Sequence, residues 1–156
     1  MADLVHNQAK GRFAEWAERS RTGDDTNAAL IMSVWNNDGS STDDNVRDAD
    51  TVAAIEALTG VTERTTSGWA RKTISDGSIT VTIDDTNDRV DVDIPDQTWT
   101  AVSAGTSTDI GVAWDKDTTA GTDSNIIPGT WHDFAITPDG SDVTAQIATG
   151  GVYRAS

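Results

Sequence analysis

The second half of the chain is organised around residues 108–147, which read TDIGVAWDKDTTAGTDSNIIPGTWHDFAITPDGSDVTAQI. An apolar run, Ile110 to Trp114, leads into a polar segment rich in Asp, Thr and Gly, and a second run, Trp131 to Thr137, follows that segment. Short β-branched and aromatic runs separated by turn-forming residues are typical of strands joined by a loop. The stretch therefore predicts two strands and a connecting loop, and it contains no catalytic constellation.

Residues 78–95 contain the clearest pattern upstream of this stretch. Ile79, Val81 and Ile83 alternate with Thr, and the following VDVDI segment alternates Val or Ile with Asp. Period-two alternation predicts strands with one buried and one solvated face. The DTNDR segment between the two runs has turn composition, so the sequence predicts a β-hairpin with Ile83 on its buried face.

Further short runs extend this pattern over most of the chain. Residues 28–35 (AALIMSVW) predict a buried strand, the following polar segment to residue 45 a mobile or partner-facing loop, and residues 51–58 a brief helix capped by Asp48 or Asp50. About seven or eight closely spaced strands favour an all-β domain. We predict a mainly β fold, an antiparallel β-sandwich or barrel preceded by an N-terminal α-helix. A chain of 156 residues is expected to form one domain, 1–156.

The helical part of that domain is expected within residues 1–22, ahead of a strand-rich body at 28–156. Within residues 4–20, hydrophobic side chains including Phe13 and Trp16 recur at helical spacing. This hydrophobic stripe either packs on the rest of the domain or contacts a neighbouring subunit or larger partner. Phe13 and Trp16 are therefore candidate partner-contact residues.

A small basic cluster surrounds Trp69 within residues 61–77. Arg64, Arg71 and Lys72 lie there, against a background of 26 acidic and 11 basic residues and a net charge of −15. That charge repels phosphate backbones, so direct nucleic-acid binding is not expected. The cluster either contacts an acidic partner surface or forms an internal ion pair. Trp69, Arg71 and Lys72 complete the set of candidate contact residues.

The composition excludes several classes of protein. The chain has no Cys, which rules out disulfides, thiolate catalysis and Cys-ligated metals. It has no signal-peptide pattern and no apolar stretch of the roughly 18 residues that a membrane span needs, so a soluble protein made inside a cell and without membrane contact is expected. The acidic, Lys-poor surface suits either a saline habitat or an ordinary acidic surface.

No motif in the sequence predicts an enzyme. His6 and His132 stand alone without metal-ligand spacing, and no nucleophile motif or phosphate-binding loop is present. Two acidic loops, 84–88 and 115–123, offer carboxylates to Ca²⁺, but neither fits the EF-hand pattern. We therefore predict no catalytic residue, no cofactor and no metal ligand.

Several long motifs resemble one class of proteins. These are WDKDTTAGTDSNIIPGTWHDFAITPDGSDVTA at 114–145, DDTNDRVDVDIPDQTWTA at 84–101, LVHNQAKGRFAEW at 4–16, AALIMSVW at 28–35 and RDADTVAAIEAL at 47–58. They resemble small virion proteins of tailed bacteriophages and related archaeal viruses, the decoration, cement or head-fibre proteins of the capsid exterior. The resemblance covers most of the chain, although none of its motifs is catalytic.

The resemblance implies a structural role without turnover. It predicts a homo-oligomer, synthesised in the host cytoplasm, that binds the major capsid protein or other virion proteins on the outside of the capsid and stabilises the shell. A head-tail connector or tail component is the alternative within the virion. A carbohydrate-binding β-sandwich module, stacking sugars on exposed Trp faces such as that of Trp131, is the alternative of a different class. A hydrolase ranks last.

Overall fold

The structure is a computed structural model that describes residues 2–156. The strands form three antiparallel sheets. They are β1 (Leu4–Val5), β2 (Ala29–Asn37), β3 (Val61–Glu63), β4 (Lys72–Ile74), β5 (Thr80–Asp84), β6 (Arg89–Asp93), β7 (Gln97–Trp99), β8 (Ser107–Asp115), β9 (Ile126–Ile136), β10 (Val143–Ala145) and β11 (Tyr153–Ala155). The helices are α1 (Phe13–Thr22), α2 (Asp43–Asp48) and α3 (Val52–Glu56), and 3₁₀ turns occupy Asp76–Ser78 and Asp123–Asn125. The predicted fold class, mainly β and antiparallel with an N-terminal helix, is confirmed.

The central sheet is built on β8 and β9, the two strands of the 108–147 stretch. Its strand order is β1-β9-β8-β2, and the outer edge of β2 pairs with β4 and β3 placed end to end. Strand β9 begins at Ile126 rather than at the predicted Trp131, because Ile126 to Thr130 already pair with β8. Pro128 and Gly129 disfavour a regular strand, and an irregularity in the register beside Pro128 accommodates them.

Both faces of the central sheet are buried along its inner strands β2 and β8. Leu30, Met32 and Val34 of β2 lie in the main core, which also contains residues of α1 and the two smaller sheets. Trp35 of the same strand lies in a second core, together with residues of α2 and α3. A strand covered on both faces has a continuous rather than an alternating hydrophobic sequence, which explains the run at residues 28–35.

The two smaller sheets cover one face of the central sheet. Their strand orders are β11-β6-β5 and β10-β7, and Val92, Trp99, Val143 and Tyr153 place them in the main core. The predicted β5–β6 hairpin is confirmed, with Val81 opposite Val92 and Ile83 opposite Val90. The prediction that Ile83 is buried is wrong, because its side chain is 72% exposed.

The N-terminal segment differs from the helix predicted over residues 4–20. Leu4 and Val5 form β1 and pair with the edge of β9, and α1 begins only at Phe13. Gly11 adopts a φ of 73°, a left-handed conformation that a helix cannot contain. Val5 and Ala9 pack against the main core from outside the helix, so their spacing reflects burial rather than helical structure.

Helices α2 and α3 cover the opposite face of the central sheet. The segment predicted as a loop up to residue 45 already enters α2 at Asp43, where Thr42 and Asn45 form a reciprocal capping box. Thr51 caps α3 through its side chain, in place of the predicted Asp48 or Asp50. These short helices bury Val46 and Ile55 in the second core, and this packing stabilises helices too short to be stable alone.

Candidate functional site

Phe13 and Trp16, two of the predicted partner-contact residues, lie in the main core. Phe13 has no exposed surface, and its ring centroid lies 5.2 Å from that of Tyr153. Trp16 is 2% exposed and stacks on Trp114, with 5.3 Å between the ring centroids. Neither side chain is available to a partner, so their assignment as contacts is corrected. The hydrophobic side chains of α1 pack on the rest of the domain, because the apolar faces of the sheets cover them.

Trp69, the third predicted contact residue, is also a core residue. Its indole is 2% exposed, lies 5.4 Å from the ring of Trp99 and donates its Nε1–H to the carbonyls of Ala104 and Gly105. The assignment of Trp69 as a contact is therefore also corrected. Lys72 stays partly exposed, with its ammonium 5.5 Å from the centroid of the Trp99 ring.

Arg71 lies at the centre of an ion cluster that joins three elements. Its guanidinium donates to Glu63 of β3, with 2.7 Å from Nε to Oε1, and to Asp123, while Glu56 of α3 lies 3.7 Å away. Hydrogen bonds to Glu63 raise the pKa of Arg71. Burial, and then the charges of Asp123 and Glu63, raise the pKa of Glu56. The internal ion pair, one of the two interpretations of the basic cluster, is correct for Arg71.

The burial of the aromatic residues bears on the sugar-binding alternative. The exposed fraction lies between 1% and 6% for Trp16, Trp35, Trp69, Trp99, Trp114 and Trp131. A sugar ring stacks on an aromatic face that solvent can reach. No indole of this chain offers such a face, and the alternative that depended on an exposed Trp131 loses its structural basis.

Thr130, His132 and Asp3 form an arrangement that resembles a hydrolytic triad. The Nε2 atom of His132 lies 2.9 Å from Thr130 Oγ1, and its Nδ1 atom lies 3.8 Å from Asp3 Oδ2. The second distance is too long for a hydrogen bond. Burial lowers the pKa of His132, while Asp3 acts against that shift. Thr130 is 1% exposed and does not line the cleft of about 300 Å³ beside His132, so its hydroxyl has no access to a substrate there.

The acidic loops form their own local hydrogen bonds. Asp84 accepts from the amides of Thr86 and Asn87, and Asp117 accepts from the amide and hydroxyl of Thr119. Between residues 2 and 156, no group of three or more His, Asp or Glu side chains is placed to hold a metal ion. These local contacts account for the Asp-rich turns as turn-forming elements.

A partly exposed apolar row, with Ile83 exposed and its two neighbours half-buried, crosses the outer end of the β11-β6-β5 sheet. It consists of Ile83, Val90 and Ala155, which are neighbours in register on adjacent strands, and we refer to these three residues as the hairpin surface. Ile83 is the one large hydrophobic side chain that is exposed in the part of the chain the structure describes. An exposed apolar patch with a polar rim is typical of a protein contact site.

The hairpin surface is the outer continuation of a row that packs against the main core. Val81, Val92 and Tyr153 lie one step inward on the same sheet face, where Phe13 of α1 packs against Tyr153. Alternation along β5 and β6 therefore continues beyond the end of the main core. Sequence reasoning missed this site because Ile83 shares the face of Val81, and periodicity identifies a face without showing where its cover ends.

The rim of the hairpin surface is acidic. Asp84, Asp85, Asp88, Arg89 and Ser156 surround an open depression of about 450 Å³. The Nε of Arg89 lies 3.1 Å from Asp84 and 3.2 Å from Asp91, so its charge is shared between two carboxylates. Asp85 and Asp88 form no ion pair with any residue in the described range. The surface therefore combines an aliphatic row with a net negative margin.

Comparison with protein-family models, with curated proteins and with solved structures finds no match for this chain. Among residues 2–156, no helix combines the length and hydrophobicity that a membrane span requires. The functional assignment therefore depends on the sequence motifs and on the geometry described above.

Proposed function

We propose that this chain is a non-enzymatic virion structural protein, a decoration or cement protein that binds the outer surface of a tailed-virus capsid as a homo-oligomer. The motifs at residues 84–101 and 114–145 support the virion role through their resemblance to such proteins. The observation that supports a protein-binding role is the hairpin surface, where Ile83 is 72% exposed in a chain whose indoles are all buried. Its partner in this proposal is the major capsid protein or another virion protein.

The size of the hairpin surface suits a repeated contact rather than a single strong one. Burying one Ile side chain contributes about 1.5–3 kcal/mol, far less than a micromolar complex requires. A closed oligomer on a lattice of equivalent sites engages several such contacts at once, and multivalency then raises the overall affinity. A decoration protein meets this condition because the shell repeats its binding sites.

The copy number of the protein in purified particles tests this proposal. Quantitative mass spectrometry against the major shell protein is expected to give a fixed ratio repeated over the lattice. A handful of copies per particle would favour the head-tail connector or tail alternative. Absence from purified particles would overturn the virion role.

A pair of substitutions tests the role of the hairpin surface itself. Ile83→Asp removes the exposed aliphatic side chain and adds a charge, and we expect it to abolish association with particles that lack the wild-type protein. Thr82→Asp adds the same charge on the opposite, solvated face of β5 and is the matched control. Equal losses in both variants would show that charge alone, not the hairpin surface, determines binding.

A further inference from the structure

Strand β5 is an outer strand of the β11-β6-β5 sheet and has one unpaired edge. The amide of Val152 donates to the carbonyl of Val92 over 2.9 Å, so the backbone groups of Val92 point away from β5. In an antiparallel ladder, both backbone groups of a residue point to the same side. Val81, the partner of Val92, therefore directs its N–H and C=O to the free edge. Ile83, two residues further along β5, does the same.

This edge is accessible along its outer half. Thr80, Thr82 and Ile83 are exposed, and no loop, cap or side-chain hydrogen bond in the described chain uses the amides of Val81 or Ile83. Natural proteins commonly protect free edges with Lys, Pro or a bulge. The sequence of β5, TVTID, contains neither Lys nor Pro, and its pairing with β6 is regular. The edge therefore presents two donors and two acceptors beside an exposed aliphatic side chain.

We propose that the β5 edge binds an extended segment of a partner protein, with aliphatic residues at alternate positions and Lys or Arg beside the turn at residues 85–88. Strand addition pairs backbone groups along an edge, and the alternate side chains provide specificity. The aliphatic residues extend the hairpin surface by one strand, next to Ile83. Identifying this partner as a virion shell protein depends on the function proposed above.

The charge at the turn indicates which partner fits. Asp85 and Asp88 form no ion pair in the described chain, and Arg89 is shared between Asp84 and Asp91. A cation on the incoming segment meets these carboxylates, whereas a second copy of this chain brings the same acidic turn and a net charge of −15. The charge therefore favours a basic partner segment over pairing between two β5 edges.

Residue-resolved amide exchange on the full chain tests this inference. The probe is a short peptide with valine at alternate positions and two lysines at its amino end, because an antiparallel segment begins beside the turn. At saturation it is expected to slow exchange at the amides of Val81 and Ile83 by about tenfold or more. A peptide with two glutamates in place of the lysines is expected to leave both amides unchanged.

Two variants control for the site of binding. Ile83→Pro removes a backbone N–H that points to the free edge and forms no hydrogen bond with β6, so we expect the lysine peptide no longer to slow amide exchange. Ile83→Val keeps this N–H, and we expect the peptide to slow exchange as it does in the parent chain. The fluorescence of the buried indoles checks that both variants are folded. Equal effects of the two peptides, or no slowing at Val81 and Ile83, would overturn the proposal. Slowing that depends on protein concentration without peptide would instead identify a second copy as the occupant.

The copy-number experiment separates this inference from the proposed function. If particles contain the protein at a fixed ratio but the lysine peptide has no effect, the decoration role stands and strand addition at β5 is wrong. If the peptide binds at β5 but the particles lack the protein, the edge is a binding site and the virion role is wrong.

Discussion

His6 illustrates how the surroundings of one side chain control stability. The ring is fully buried, and neither nitrogen has a hydrogen-bond partner. Burial lowers the pKa of His6 from 6.5 to about 4, and the nearby carbonyls of Val46 and Ala49 only partly oppose that shift. Between these two pH values the unfolded chain binds a proton that the folded chain does not. The free energy of unfolding therefore falls as the pH drops from 6.5 to 4.

His6→Leu is expected to remove this component of the pH dependence. A Leu of similar size breaks no hydrogen bond, so folding at pH 7 is retained. Between pH 7 and about pH 5, the variant should lose about 2 kcal/mol less stability than the parent chain. Urea unfolding followed by Trp fluorescence at each pH measures the difference. Since His132 is present in both proteins, identical pH slopes would show that His6 is not the source.

At the scale of elements, the docking of α1 on β9 depends on Gly129. A Cβ atom at this position would collide with the ring of Phe13 and the carbonyl of Val112. Gly129→Ala is therefore expected to lower the free energy of unfolding by about 1–3 kcal/mol, because the added methyl group displaces the helix from the sheet. Chemical denaturation measures the change.

Gly77→Ala is the matched control for that substitution. A Cβ atom at Gly77 would meet nothing within 4 Å, and its φ lies outside the left-handed region. This variant should stay within about 0.5 kcal/mol of the parent chain, as most surface substitutions do. A large loss in Gly77→Ala, or none in Gly129→Ala, would contradict the role assigned to the contact between Gly129 and Phe13.

At the scale of the whole molecule, a net charge of −15 opposes folding through self-repulsion. Surface ion pairs such as that between Arg19 and Glu15, 3.6 Å apart, offset this by less than about 1 kcal/mol each.

Raising NaCl from about 0.05 M to 0.5 M shortens the Debye length and screens the repulsion. We expect the urea midpoint to rise with an unchanged m value. The combined Asp85→Asn and Asp88→Asn variant should show a smaller rise, and a midpoint that falls with salt would contradict the argument.

Local sequence patterns predict the type of each element in this fold more reliably than the residue at which the element begins. Alternation at residues 78–95 predicted the hairpin, and the continuous run at 28–35 predicted a buried strand, because side-chain period is a local property. The start of α1 and the beginning of β9 were misplaced. Leu4 pairs with Trp131, which is remote in sequence, and Gly11 interrupts the helix, while Ile126 pairs with Asp115 across the β8–β9 loop.

Composition and periodicity are read along the chain, and they are enough to predict the β class, the antiparallel hairpin and the exclusion of cysteine chemistry. Which side chains solvent reaches depends instead on the three-dimensional packing of the chain. It buried Trp16 and Trp69, bound Arg71 to Glu63 and Asp123, and left Ile83 beyond the end of the main core. A side chain is buried only where another element packs across its face of the helix or sheet. That cover comes from elements remote in sequence, here α1 and the sheets around it.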